Sequence, residues 1–277
     1  MKALITGASS GIGREIARLL SARGYDLILC ARREDRLRAL AAELPTVCHI
    51  IAADVSDEKE CRLLYQAARS DDLEVVVNNA GFGLFGAFAE TDLDEELRMI
   101  DVNIRAVHIL TKLAVQDFQK RGRGYVLNVA SSAGFLPGPL MATYYATKNY
   151  VLRLTQAIRE ELRRAGSGVK VCALCPGPVD TEFNQVAGVR FALGGLTAQR
   201  VARAAVDGLF AGKGVVVPGV SMKAMTVARH FAPDTLLARV TYHFQHKKGG
   251  KGWPDRISGA ACSANLCARC ASPSSTR

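Results

Sequence analysis

The sequence predicts an α/β fold, a single doubly wound Rossmann-type domain with a parallel sheet of about seven strands flanked by helices, and three observations predict it. Short apolar runs alternate along the chain with segments of helical period. The runs lack the in–out alternation of a half-exposed sheet, as expected of strands covered by helices on both faces. The first run, Ala3-Leu4-Ile5, passes through a glycine-rich turn straight into a helical pattern. At 277 residues the chain is long enough for one large core, and 49% hydrophobic with 22% charged residues is ordinary globular composition.

The turn Thr6-Gly7-Ala8-Ser9-Ser10-Gly11-Ile12-Gly13 joins the first strand to the helix Arg14-Glu15-Ile16-Ala17-Arg18-Leu19-Leu20. A helix start offers an anion its unpaired N–H groups and the positive end of its dipole, and glycines let the backbone come close. Such a turn suits a pyrophosphate, although G-x-x-x-G-x-G alone is also simply a turn. The second run, Leu27-Ile28-Leu29-Cys30, ends in Ala31-Arg32-Arg33. Many dinucleotide folds place a carboxylate at this strand end for the adenosine ribose 2′-OH. Here two bases stand instead, and an arginine pairs with a 2′-phosphate that an acid would repel. NADP(H) is therefore expected over NAD(H), with Arg32 as the contact; otherwise both arginines are solvated residues opening a helix.

Runs at Val47 to Ile51, Val75 to Val77, Tyr125 to Leu127, Val169 to Leu174 and Val215 to Val217 complete the strands. The clearest helix runs from Thr91 to Gln119, with Leu93, Leu97, Ile100, Ile104, Val107 and Leu110 at spacings of three and four. Thr91, with Asp94 three residues on, is the expected N-cap. Repeated β-α-β order gives right-handed crossovers, and ligands of such sheets bind beyond the carboxyl ends of the strands.

The chemistry is expected at one of those ends. Asn128-Val129-Ala130-Ser131-Ser132 closes a strand with a serine hydroxyl, and Tyr144-Tyr145-Ala146-Thr147-Lys148 opens a helix. Residues four apart share a helical face, so Lys148 can lie beneath the Tyr144 phenol. A nearby ammonium favours phenolate and draws a tyrosine towards a useful acid–base range. Alone, Tyr-x-x-x-Lys is common on solvated helices; the glycine turn gives it meaning.

Taken together, these motifs resemble the short-chain dehydrogenase/reductase family over about residues 1–218. The resemblance is carried by Thr6–Gly13, Asp54-Val55, Asn78-Asn79-Ala80-Gly81, Asn103, Ser131, Tyr144, Lys148 and Pro176-Gly177-Pro178-Val179-Asp180-Thr181. It implies that Tyr144 protonates a carbonyl oxygen in reduction and accepts the proton in reverse, while Ser131 polarises that oxygen. It implies that Lys148 lowers the tyrosine and holds the nicotinamide ribose, and that Asn103 supports a water linking Lys148 to solvent. For the cofactor it implies Gly7, Ser9, Ser10, Gly11, Ile12 and Gly13 at the pyrophosphate, Asp54 and Val55 at the adenine, and Asn79 at the adenosine ribose. Pro176, Gly177, Val179 and Thr181 would border the carboxamide. Family spacing selects Ser131 over Ser132, and the four-residue step to Lys148 selects Tyr144 over Tyr145.

The same resemblance puts Gly81 to Gly86, Phe135-Leu136-Pro137 and Glu182 to Leu196 around the substrate. Their apolar character, with Phe183 and Phe191, predicts a hydrophobic ketone, aldehyde or alcohol. A 3-oxoacyl-thioester reductase and a hydroxysteroid dehydrogenase remain alternatives, and a non-enzymatic NADP-binding redox sensor is the reading from another class. A homodimer or homotetramer through the two long helices is what the family implies.

Composition bounds the rest. No apolar run is long enough for a membrane span, the stretch after Lys2 is too short for a signal peptide, and a cytoplasmic protein is expected. The net charge of +10 is concentrated late, since Lys247, Lys248, Lys251, Arg256, Arg269 and Arg277 face only Asp255 in that region. No basic and aromatic stripe points to nucleic acid. Cys172 and Cys175 form C-x-x-C inside an apolar run and read as buried strand residues, while Cys262, Cys267 and Cys270 lack a fourth metal ligand, so no metal site is expected. Residues 219–248 form a basic amphipathic segment that lies on a membrane surface, packs on the body or covers a substrate entrance, packing on the body being the expectation. Residues 249–277 read as a disordered tail.

Overall fold

The chain forms strands β1 (Lys2–Thr6), β2 (Asp26–Ala31), β3 (Cys48–Ala52), β4 (Leu73–Asn78), β5 (Gly124–Val129), β6 (Val169–Leu174), β7 (Val179–Asp180), β8 (Leu196–Thr197) and β9 (Val215–Val216). All but β7 and β8 lie in one parallel sheet ordered β3-β2-β1-β4-β5-β6-β9, in a computed structural model that describes residues 1–187 and 195–246. Phe191, the tail cysteines and residues 249–277 lie outside the described residues.

The unbroken apolar strands follow from two-sided burial. Ala3, Ile5, Leu27, Leu29, Val75 and Val77 face one helical layer, and Leu4, Ile28, Cys30 and Val76 face the other. The first layer is α1 (Gly11–Ser21), α2 (Glu34–Glu43) and, later in the chain, the helix over Ala198–Phe210. The second holds α3 (Glu58–Ala68), α5 (Val107–Arg121) and α6 (Ala142–Arg164), while α4 (Leu93–Ile100) leads into α5 and packs through Met99 against Met141 and Tyr144. A short α7 (Phe183–Val186) precedes that later helix, α8, and α9 (Val220–Ala228) and α10 (Asp234–His246) close the described chain. Winding leaves β1 in one direction towards β3 and in the other towards β4, so the crevice between β1 and β4 is the switch point of the sheet.

The long helix differs from the sequence expectation in two ways. Its N-cap is Asp92, whose carboxylate accepts from Glu95 N at 2.9 Å. Thr91 instead donates to the Phe88 carbonyl and to Glu96. Between α4 and α5 the backbone widens into a π-turn over Asp101–Ala106. A π-turn rotates the side chains after it relative to those before, so one regular stripe does not serve both halves. Leu93 is accordingly 67% exposed, and Glu96 and Met99 face inward in α4. Asn103 is wholly buried inside the turn.

Beneath the carboxyl edge a buried polar network ties the second layer to the sheet. Asn78 Nδ2 donates to Asn128 Oδ1 (2.8 Å) and Thr111 Oγ1 (3.0 Å), and Asn128 Nδ2 donates to Thr155 Oγ1 (3.0 Å). Such bonds in a water-free setting hold the neighbouring strand ends and helices in one arrangement.

Candidate active site

The carboxyl ends of the central strands open into one cleft of ≈ 410 Å³. Its floor is the glycine turn. Gly7 has φ +66°, and a Cβ there would stand 2.8 Å from Ala80 Cα; at Gly13 a Cβ would meet the Gly7 carbonyl oxygen at 2.4 Å. Bare backbone is thus required where the turn crosses β4. Asn79 Nδ2 donates to the carbonyls of Thr6 (3.1 Å) and Gly7 (3.0 Å), and Thr6 Oγ1 accepts from the backbone of Asn79 and Ala80. The N-cap of α1, Ser10, makes no side-chain capping bond and no acid lies in the first turn, although α3, α4 and α8 are capped by Asp57, Asp92 and Thr197. Amides of a helix start therefore border the cleft untaken by a cap, which fits a dinucleotide pyrophosphate.

Two arginines stand at the end of β2, and they do different things. Arg33 Nη2 donates to Ser9 Oγ (3.2 Å), Ser10 Oγ (3.3 Å) and Glu182 Oε2 (2.9 Å). Arg36 also pairs with Glu182, and the two guanidiniums, Arg36 foremost, hold that carboxyl below its usual range. Arg32 lines the cleft but turns outward, 3.8 Å from Asp54. Burial acts to raise the Asp54 carboxyl; bonds from the Ser56 amide and hydroxyl, with Arg32 and Arg98 nearby, outweigh it and hold the group low. Val55 stands beside it on the cleft wall.

Ser131, Tyr144 and Lys148 converge at the other end of the cleft, bordered by Pro176, Gly177, Val179 and Thr181. Ser131 follows β5 and caps the short 3-10 turn after it, accepting from Ala133 N at 3.1 Å. Tyr144 lies in the first turn of α6 with Lys148 one turn on. Lys148 Nζ donates to the Val129 carbonyl at 2.9 Å and stands 5.8 Å from the centre of the Tyr144 ring. Ser132 and Tyr145 are absent from the cleft lining; Gln245 of α10 donates to the Tyr145 hydroxyl.

Electrostatics at the pair depart from the expectation that Lys148 draws the phenol down. Burial pushes the Tyr144 phenol well above its ordinary value, with a hydrogen bond from Ser131 acting against it. Burial also lowers the Lys148 ammonium to about 8. Desolvation penalises each charged form, and at this site it is the largest influence on both groups.

Asn103 also differs in detail. Its Oδ1 accepts from Phe82 N (3.1 Å), and its Nδ2 donates to Phe82 O (2.9 Å) and Thr147 Oγ1 (3.1 Å). The side chain pins the loop after β4 to α6, so its amide is already spent on protein groups.

The substrate end is apolar. Phe82 and Phe183 line the cleft, and the Tyr144 and Phe183 ring centres are 5.4 Å apart. Leu84 and Phe85 pack in the same cluster, with Met99 and Met141. Phe135 does not reach the cleft; it packs elsewhere, beneath the Arg229 guanidinium. Cys172 and Cys175 are fully buried, and burial pushes both thiols up to about 12, as befits small apolar residues.

Two cleft residues, Arg33 and Arg98, and Thr6 beneath the cleft carried too little signal in the sequence. Adjacent side chains at a strand end point to opposite sides, so only one of Arg32 and Arg33 could turn to the glycine turn, and spacing does not say which. Thr6 reads as a strand residue until its neighbour β4 is known. Arg98 reaches the cleft from α4, whose facing depends on the π-turn.

This sheet, with a glycine turn at its switch point and a Ser–Tyr–Lys set at its carboxyl edge, defines a Rossmann-type oxidoreductase. The model of the short chain dehydrogenase family matches residues 1–189. An uncharacterized oxidoreductase of Staphylococcus epidermidis is 35% identical over 185 residues, covering 66% of this chain and 80% of that protein. A short-chain dehydrogenase from Sphingobium yanoikuyae, solved in complex with NADPH, superposes with a TM-score of 0.75 at 32% identity, covering 83% of this chain and 94% of that one. A short-chain dehydrogenase/reductase from Burkholderia phymatum, solved in complex with NAD, gives 0.76 at 25% identity, covering 83% and 92%. The chain belongs to the short-chain dehydrogenase/reductase family.

Proposed function

We propose that this protein is an NADP(H)-dependent carbonyl reductase acting on apolar ketones or aldehydes. The observation that carries the reading is the Tyr144 phenol, bonded to Ser131 and underlain by Lys148, in the same cleft as the glycine turn and Arg33. When bound, the cofactor supplies hydride to the carbonyl carbon. Ser131 orients and polarises the carbonyl oxygen, and Tyr144 gives its proton to that oxygen. The raised phenol keeps the proton through neutral pH, and an alkoxide is a stronger base than a phenolate, so transfer is downhill once negative charge develops. Lys148 stabilises the phenolate left behind and would hold the nicotinamide ribose hydroxyls. Asn103 acts as a positioning residue through Phe82 and Thr147; a water relay would use its backbone rather than its amide.

For the cofactor, Gly7, Ser9, Ser10, Gly11, Ile12 and Gly13 would hold the pyrophosphate, with Asp54 and Val55 at the adenine and Asn79 fixing the turn beneath the adenosine ribose. Arg33, with Arg32 beside it, is the group for a 2′-phosphate. The relatives bind NADPH in one case and NAD in another, so this chain's own arginines support the preference. The apolar wall of Phe82 and Phe183 supports the substrate class. Assembly is proposed through the exposed sides of α5 and α6, where His108 Nδ1 and the Tyr150 hydroxyl meet at 2.7 Å.

The test is oxidation of NADPH and NADH with a panel of apolar ketones and aldehydes, by wild type and Arg33→Ala. Loss of a charge-assisted phosphate contact should weaken NADPH about 10- to 100-fold and leave NADH little changed. Equal use of both cofactors by wild type would overturn the NADP preference, and NADPH binding without turnover across the panel would favour a redox sensor.

A further inference from the structure

We propose that α9 and α10 form a docking surface for an anionic lipid membrane. The two helices carry much of their apolar surface on the outside. In α10, Leu236, Val240 and Phe244 recur every fourth residue on one stripe, and all three are exposed, whereas the residues turned inward are Thr241 and Gln245. In α9 no residue is buried; Val220 is 84% exposed, and Phe231, just past the helix, is 86% exposed. A helix that packs only on its own protein buries its apolar stripe. This pair does the reverse.

Charge selects the occupant. Lys223 and Arg239 are exposed on the same two helices, Lys247 and Lys248 follow in the sequence, and Asp234 is the single acid between 219 and 248. Apolar side chains fringed with bases fit the boundary between anionic headgroups and acyl chains. A second copy fits less well, because a twofold contact would set this basic patch against itself. Among the described residues no helix is long and apolar enough to cross a membrane, so the contact is peripheral.

The surface is joined to the active site. Met222 of α9 packs where a Cβ on Gly177 would lie, 2.7 Å from its Sδ, and Gln245 of α10 holds the hydroxyl of Tyr145, the neighbour of Tyr144. An apolar substrate dissolved in a bilayer would therefore meet the protein on the side that borders Gly177 of the cleft and Tyr145. That consequence rests on the carbonyl-reductase reading; the surface itself does not.

The experiment is co-sedimentation of the full chain with vesicles of phosphatidylcholine alone and of phosphatidylcholine with phosphatidylglycerol, at low and high salt. Binding is expected only to the anionic vesicles, and weaker at high salt. Phe231→Ser combined with Phe244→Ser, and separately Lys223→Glu combined with Arg239→Glu, should each lower partitioning by at least about tenfold. Both variants should keep the circular dichroism and the NADPH affinity of the wild type. No binding to anionic vesicles at low salt would overturn the proposal, as would binding that survives both variants. So would a wild-type dimer that the Phe231→Ser and Phe244→Ser pair converts to monomer, since the face would then belong to a second copy.

Discussion

Tyr144 and Lys148 are taken almost wholly out of water, and burial moves them in opposite directions, the phenol up and the ammonium down to about 8. Between about 8 and the ordinary 10.5, an unfolded Lys148 is charged while the folded one is neutral. The unfolded chain then binds more protons, so this group adds stability as pH rises through that window and costs stability below it. Lys148→Met should therefore raise the melting temperature at neutral pH by about 2–4 °C per kcal/mol recovered, while carbonyl reduction is lost. A drop in melting temperature would show that the bond to the Val129 carbonyl outweighs the buried charge. In the wild type, reduction should be level through neutral pH and decline as pH rises through about 8, where Lys148 loses its charge. A rate that climbs through the neutral range would instead require a deprotonated group. The identity of both residues was legible in the sequence, because four residues make one helical turn; the direction of the tyrosine shift was not, because it depends on burial that only the packed cluster supplies.

At the scale of elements, periodicity located all seven strands of the sheet and missed the break in the longest helix. The apolar runs near Leu27, Val75, Tyr125, Val169 and Val215 become strands because alternate residues serve two helical layers. The π-turn at Asp101–Ala106 leaves no mark in the spacing of apolar residues, so Leu93 read as core. Asp92 and Thr91 are both ordinary caps, and only the backbone decides between them. Asp92→Ala should cost about 1 kcal/mol by freeing the Glu95 amide, whereas Thr91→Ala should mainly loosen Glu96, which also accepts from Thr143 at 2.9 Å. Urea denaturation of both variants checks this; equal losses would mean that the cap is shared.

Over the whole molecule, the fold gathers residues from the ends of six strands of the sheet into one cleft and leaves α9 and α10 with an outward apolar stripe. Glycine turn, strand ends and Tyr–Lys pair were legible because each is a short local pattern. The orientation of α9 and α10 was not, because a basic amphipathic segment reads the same whichever way its stripe faces. The central claim is that Tyr144 gives the proton, and it is tested by following NADPH oxidation with an apolar ketone in wild type, Tyr144→Phe and Tyr145→Phe, with NADPH binding read by its fluorescence. Removing a general acid should lower turnover by about 10²- to 10⁴-fold in Tyr144→Phe, with NADPH binding kept and Tyr145→Phe still active. Turnover that survives in Tyr144→Phe and disappears in Tyr145→Phe would contradict the account.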